Sequence, residues 1–183
     1  MELRITKYNP CYRHPNGAYY KNEWTEVCDI GKTFEGEIFT ATQYLQTEDS
    51  YVKTVLLLLK HIGLENLVVV KQDDLSARRI IYPFFTTNAF FNVDPKFAKS
   101  IKPGRICSLA EIEILTRASL RSNFWCAFGG DYGTYLHFGW DYYMYFGTEK
   151  TVCLNDIDFP EGIFIEQNFP SPYCQDNEDE NED

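Results

Sequence analysis

The stretch Asn123 to Gly147 reads NFWCAFGGDYGTYLHFGWDYYMYFG, and it decides the fold class. Aromatic and apolar residues suit a pleated, half-buried surface, and glycines punctuate them at Gly129, Gly130, Gly133 and Gly139. We read Phe124 to Phe128 as one strand and Thr134 to Phe138 as the next, joined by a loop from Gly129 to Gly133. A third strand runs from Asp141 to Phe146. Gly139-Trp140 is either a two-residue type II′ turn into that strand or the site of a bulge in one long strand. Either way the segment is a meander. Side-chain alternation puts Asp141, Tyr143 and Tyr145 on one face and Tyr142, Met144 and Phe146 on the other. Trp125, Phe138, Tyr142 and Phe146 are expected in the core.

Two helices precede the meander in the chain. Thr40 and Gln43 form a capping-box pattern ahead of Tyr44, Leu45, Tyr51, Val52, Val55, Leu58, Leu59 and Ile62, which recur at helical spacing. Gly63 is a ready stop, so a helix over Ala41–Ile62 is predicted. Ser108 and Glu111 repeat the device and predict a helix from Leu109 to about Ser122. Glu2 to Tyr8 alternates as a strand, and Asn9-Pro10 ends it. Trp24 to Gly31 reads as a short strand that could pair with the first. Leu67 to Lys71, with three successive valines, reads as a strand buried on both faces or central in its sheet. Gln72 to Ala77 is polar and loop-like. The adjacent Arg78 and Arg79 read as a solvated or acid-paired patch. Ile80 to Lys102 is broken by prolines and is expected to be irregular with short pieces. Val152 to Leu154 and Ile163 to Ile165 are short-strand candidates. Together these predict one α+β domain over residues 1–174, an antiparallel or mixed sheet packed with two main helices, and an acidic disordered tail at 175–183.

With 183 residues and 44% hydrophobic content, the chain can bury a sizeable core. Its formal net charge of −10 is concentrated at one end, because six of its 27 acids fall in Asp176–Asp183. The remaining 21 acids face 17 bases, a balance of −4. An acidic body is repelled by phosphate backbones and attracts basic proteins. The meander has no Lys or Arg from Phe124 to Phe146, so its aromatics lack the basic groove that single-stranded nucleic-acid binders need. The longest apolar run, Val55 to Leu59, is far shorter than the roughly 20 residues of a membrane span. The opening residues alternate and do not resemble a signal peptide, so a cytoplasmic location is expected.

Chemical motifs are sparse. The six cysteines are scattered without a CxxC, which suits reduced thiols, and Cys126 is expected to be buried and inert. Three histidines without HExxH-like spacing give no metal site, and the Gly129–Gly133 loop lacks the GK[ST] of a phosphate loop. No cofactor is expected. The alternative to a binding protein is a small enzyme or ligand binder using the aromatic sheet near Cys126 and His137, which could meet from adjoining strands.

Three pieces carry a resemblance. They are Arg4-Ile5-Thr6-Lys7-Tyr8-Asn9-Pro10, Glu23-Trp24-Thr25 with Asp29-Ile30-Gly31, and His137-Phe138-Gly139-Trp140-Asp141-Tyr142-Tyr143-Met144-Tyr145. The pattern resembles a family of small bacterial immunity proteins of polymorphic toxin and contact-dependent growth-inhibition systems. The likeness spans Met1 to about Gly147, and the last string is its most specific part. It implies a non-catalytic, cytoplasmic protein that binds and neutralises a cognate toxin domain, one expected to be basic and possibly a nuclease. Within that expectation Asp131, Tyr132, Asp141, Tyr143 and Tyr145 are the partner-contact candidates, since tyrosines beside acids anchor interfaces well. The acidic tail is an alternative contact for a basic partner.

Overall fold

The computed structural model describes residues 1–72, 95–122 and 124–177. It is an α+β fold with a seven-stranded antiparallel sheet. In chain order the elements are β1 (Glu2–Thr6), β2 (Thr33–Phe34), β3 (Glu37–Ile38), α1 (Ala41–His61), β4 (Asn66–Gln72), α2 (Pro95–Ser100), β5 (Ile106–Ser108), α3 (Leu109–Leu120), β6 (Cys126–Gly130), β7 (Thr134–Phe138), β8 (Tyr143–Gly147) and β9 (Phe164–Gln167). The main sheet runs β5-β4-β6-β7-β8-β1-β9, and β2-β3 is a separate two-stranded ribbon. The meander β6-β7-β8 forms as expected. The N-terminal strand then adds to β8, and β9 closes that edge against β1.

Both long helices start and stop where their caps dictate. Thr40 Oγ accepts from the Gln43 amide at 3.3 Å while Gln43 Oε1 accepts from the Thr40 amide at 2.8 Å. At the other end the Leu64 amide donates to Leu59 O at 2.9 Å and the Gly63 amide to Lys60 O at 3.1 Å. Gly63 makes this closure with a φ of 71°, which costs glycine little. Ser108 and Glu111 cap α3 in the same reciprocal way.

One face of the sheet carries the core. Leu3 and Ile5 of β1, Met144 and Phe146 of β8, Leu136 and Phe138 of β7, Phe128 of β6 and Leu67 and Val69 of β4 are buried there with Tyr44, Tyr51, Val55, Leu58 and Leu59 of α1 and Ile112 and Leu115 of α3. Each such side chain contributes about 1.5–3 kcal/mol by leaving water. Tyr142, Phe138 and Phe146 lie in this core as expected, whereas Trp125 is only partly buried at its margin. Between the helices lies a buried ion pair: Arg121, after α3, donates through Nε at 2.5 Å and through Nη2 to Glu48 of α1. Arg117 adds a donor to Glu48 at 2.9 Å and reaches Asp49 and Glu113 on the surface.

Several expectations change. Trp24 to Gly31 is not a strand: the Asp29 carboxylate accepts from the Thr25 and Glu26 amides and winds a 3₁₀ turn over Val27–Asp29. The first strand therefore has no hairpin partner there. Val152 to Leu154 likewise gives way to a 3₁₀ turn at Leu154–Asp156, and the expected strand at Ile163 to Ile165 runs instead over Phe164–Gln167. In β4 only Leu67 and Val69 are buried, while Val70 is half exposed, because the helices cover only one side. Within Ile80–Lys102, α2 is one of the short pieces expected there, and the unexpected β5 lies just beyond that region. Residues 73–94, including Arg78 and Arg79, and the acidic residues 178–183 lie outside the described residues, although a 3₁₀ turn covers Pro172–Asn177.

Candidate partner-binding surface

The other face of the sheet is polar and aromatic, and two segments distant in sequence lie over it. From the C-terminal side, Glu166 of β9 receives a two-point bond from Arg4, with Nε at 2.8 Å and Nη2 at 3.0 Å. The Arg4 guanidinium is sandwiched 3.8 Å from the Phe169 ring centre and 5.2 Å from that of Tyr143. From the N-terminal side, Arg13 reaches the Tyr143 hydroxyl at 3.1 Å and Glu166 at 3.4 Å. Arginine suits this role because its planar, permanent charge both stacks and bonds bidentately.

Arg13 belongs to a tyrosine-rich loop, residues 9–23. Asn9 Oδ1 caps its first turn through the Cys11 amide, and Pro10 sets the turn's φ. An isolated bridge joins Arg13 to Tyr19, the His14 amide donates to Ala18 O at 2.9 Å, and the Tyr20 amide to Tyr12 O at 3.1 Å. The loop is thus a bonded hairpin that leaves the Tyr12 and Tyr20 rings exposed, edge to face 5.9 Å apart. At its root Lys7 is buried, with Nζ 4.0 Å from the Tyr8 ring centre, 4.2 Å from that of Trp24 and 3.3 Å from Glu23. Burial lowers the Lys7 pKa to about 8 against the opposing pull of Glu23.

The turn between β7 and β8 is the most constrained piece. The Tyr143 amide donates to Trp140 O at 3.1 Å and the Gly139 amide to Tyr143 O at 2.7 Å. Asp141 and Tyr142, the two central residues, have φ of 54° and 61°. This is type I′-like geometry, neither the type II′ turn nor the bulge expected from Gly139-Trp140. Asp tolerates positive φ, but a bulky Tyr there costs about 1–3 kcal/mol. The interior holds it in place. Tyr142 Oη lies 2.7 Å from Leu120 O at the end of α3 and 2.8 Å from the Tyr44 hydroxyl. Tyr51 Oη donates to Tyr142 O at 2.5 Å and accepts from the Lys7 amide at 2.7 Å. Gly139 is required alongside, since a Cβ there would meet Tyr143 O at 3.2 Å and the Tyr145 ring at 3.0 Å. The outcome is a fixed turn with Trp140 76% exposed.

The five expected contact residues do not share one patch. Asp131 and Tyr132 occupy the β6–β7 turn, and Asp141 the β7–β8 turn at the other end of the five-residue β7, roughly 17 Å away. Tyr132 is exposed beneath Lys150, whose Nζ lies 4.1 Å from the ring centre. Tyr143 and Tyr145 are on the outer face but half buried, because loop 9–23 and the C-terminal segment cover them. Trp140, Tyr12 and Tyr20 are exposed aromatic residues that the sequence reading did not single out. The signal for the last two was the Tyr-, Asn- and Pro-rich composition of the loop.

Cys126 and His137 point to opposite faces and do not meet. Cys126 is fully buried in the core, where burial drives its thiol pKa well up, beside Ser119 of α3. On the outer face His137 Nδ1 lies 2.8 Å from the buried Ser171 Oγ, under the Tyr135 ring at 4.9 Å. Burial lowers the His137 pKa to about 4. In an unfolded chain the ring titrates near 6.5, so keeping it neutral stabilises the fold fully above about pH 6.5. That contribution, at most about 3 kcal/mol, is lost as pH falls from 6.5 through 4. Urea melts of wild type and His137→Asn between pH 7 and 4 should show a shallower acid loss in the variant; superimposable pH profiles would contradict the assignment. Among the described residues no three His, Cys, Asp or Glu side chains cluster as a metal site, and no helix is long and apolar enough to cross a membrane.

No family model, curated protein or solved structure matches the chain.

Proposed function

We propose that this protein is a cytoplasmic immunity protein that binds a cognate bacterial toxin domain stoichiometrically and blocks it without catalysis. One observation carries the reading. The string His137–Tyr145, on which the family resemblance rests most, is the strand–turn–strand unit that holds Trp140 and Asp141 into solvent on a costly backbone. An acidic body supports it, since −4 outside the tail steers toward a basic partner and away from nucleic acid. A nuclease toxin, basic around its phosphate-binding site, fits that electrostatics.

The test is co-expression with the toxin domain encoded beside this gene. Rescue of growth, together with a one-to-one complex on purification, is the expected result. Cells that die despite abundant folded protein would overturn the proposal.

A further inference from the structure

We infer that the Trp140–Asp141 turn is the anchor of the partner interface, and that it fits a basic protein surface with an apolar cavity sized for an indole. The inference rests on the toxin-binding reading and adds the place and chemistry of contact.

Three observations converge on this turn. First, its frame is over-determined while its tip is unused. Bonds from Tyr143, Gly139, Tyr51 and Tyr142 fix the backbone, and Trp125 Nε1 donates to the adjoining Phe138 carbonyl at 2.7 Å. The Trp140 ring, 76% exposed, contacts no other ring or charged group among the described residues. A backbone strained to hold a large apolar side chain in water indicates a use for that side chain. Because the turn is already ordered, docking Trp140 costs little conformational entropy.

Second, the surrounding charge is net negative. Asp141 is exposed and makes no salt bridge among the described residues. Behind it Tyr8 is kept neutral, chiefly by burial and next by the Asp141 carboxylate. Trp24 packs edge-on against Tyr142 at 4.9 Å, so segment 20–40 approaches the turn through Trp24. That segment carries five acids and two lysines, and both lysines are already paired, Lys21 with Glu23 and Glu35 and Lys32 with Asp29. Glu26 and Glu37 remain exposed. An exposed indole next to the exposed Asp141 carboxylate selects a partner with an apolar cavity bordered by Lys or Arg.

Third, the opposite end of the sheet provides a contrast. Tyr132 is also exposed, but its ring lies beneath Lys150, so one face of that ring is already taken by a cation of the same chain.

The experiment is titration of the full-length chain and its Trp140→Ala, Asp141→Lys and Tyr132→Ala variants against the purified cognate toxin domain at two salt concentrations. Trp140→Ala is expected to weaken binding by at least about 30-fold with little change in Tm, since the residue is 76% exposed. Asp141→Lys should slow association about tenfold at low salt and less at high salt. Tyr132→Ala should stay within about threefold of wild type. Wild-type binding that survives Trp140→Ala within threefold would overturn this inference and leave the toxin-binding reading intact. No binding by folded wild type would instead overturn that reading. A homodimer that Trp140→Ala dissociates, with toxin affinity unchanged, would show that a second copy occupies the turn and would also overturn the inference.

Discussion

Replacing Arg121 with methionine should destabilise the protein by about 3–5 kcal/mol, a fall in Tm of roughly 8–15 °C for a chain of this size. Arg121 is 3% exposed and Glu48 is fully buried, so the pair sits in a low-dielectric seam between the two helices. Two donors from Arg121 and one from Arg117 offset the cost of burying the Glu48 carboxylate. Removing Arg121 takes away two of these three while leaving the charge in place. Arg117 cannot replace it, because it stands at the mouth of the seam and also serves Asp49 and Glu113. The double variant Glu48→Met/Arg121→Met removes both charges, and an apolar seam should recover most of the loss. Thermal melts of the wild type and the two variants decide it. A single variant that melts within about 2 °C of wild type would show that the pair contributes little.

Placing alanine at Gly147 should cost about 2–3 kcal/mol and loosen the C-terminal segment. Gly147 lies directly across from Tyr135 in the β7–β8 ladder. A Cβ there would fall 2.1 Å from Tyr135 Cε1 and 2.3 Å from Cζ, so the ring must leave. It would take two contacts with it. The Ser171 amide donates to Tyr135 Oη at 3.3 Å, and the ring stacks over His137, whose Nδ1 bonds Ser171 Oγ. Faster proteolysis around residues 168–177 should accompany the lower Tm. In a Tyr135→Ala background the clash is gone, and Gly147→Ala should then change stability by less than about 0.5 kcal/mol. Equal costs in both backgrounds would place the effect in the glycine backbone rather than under the ring.

Much of the fold is written locally. The capping boxes at Thr40 and Ser108, the stop at Gly63 and the alternation of β7 and β8 identify both main helices and the meander, because each depends on neighbours within four residues. Alternation also assigned Tyr142, Met144 and Phe146 to the core side correctly. Long-range pairings were less visible. β1 joins β8 and β9, partners more than 130 residues away, and nothing near Arg4 announces Glu166. Trp24 to Gly31 has strand-like composition, but the Asp29 carboxylate takes two backbone amides, and Trp24 stacks on Phe39 at 4.4 Å instead of joining a ladder.

The contact candidates divide along the same line. By itself the sequence determined which side of β8 Tyr143 and Tyr145 occupy, since a pleat allows no other choice, but it left open whether Cys126 and His137 meet. It could not determine which outward side chains stay in water. That depends on loop 9–23 and on the segment after β9, both brought over the outer face by Arg13, Arg4 and Glu166. Only the tertiary structure covers Tyr143 and Tyr145 and leaves Trp140 uncovered. The reason lies in Tyr142, whose hydroxyl sits between Leu120 O and Tyr44 and whose carbonyl accepts from Tyr51. Those bonds, made across the whole core, hold a turn that local preference disfavours and direct its tryptophan outward.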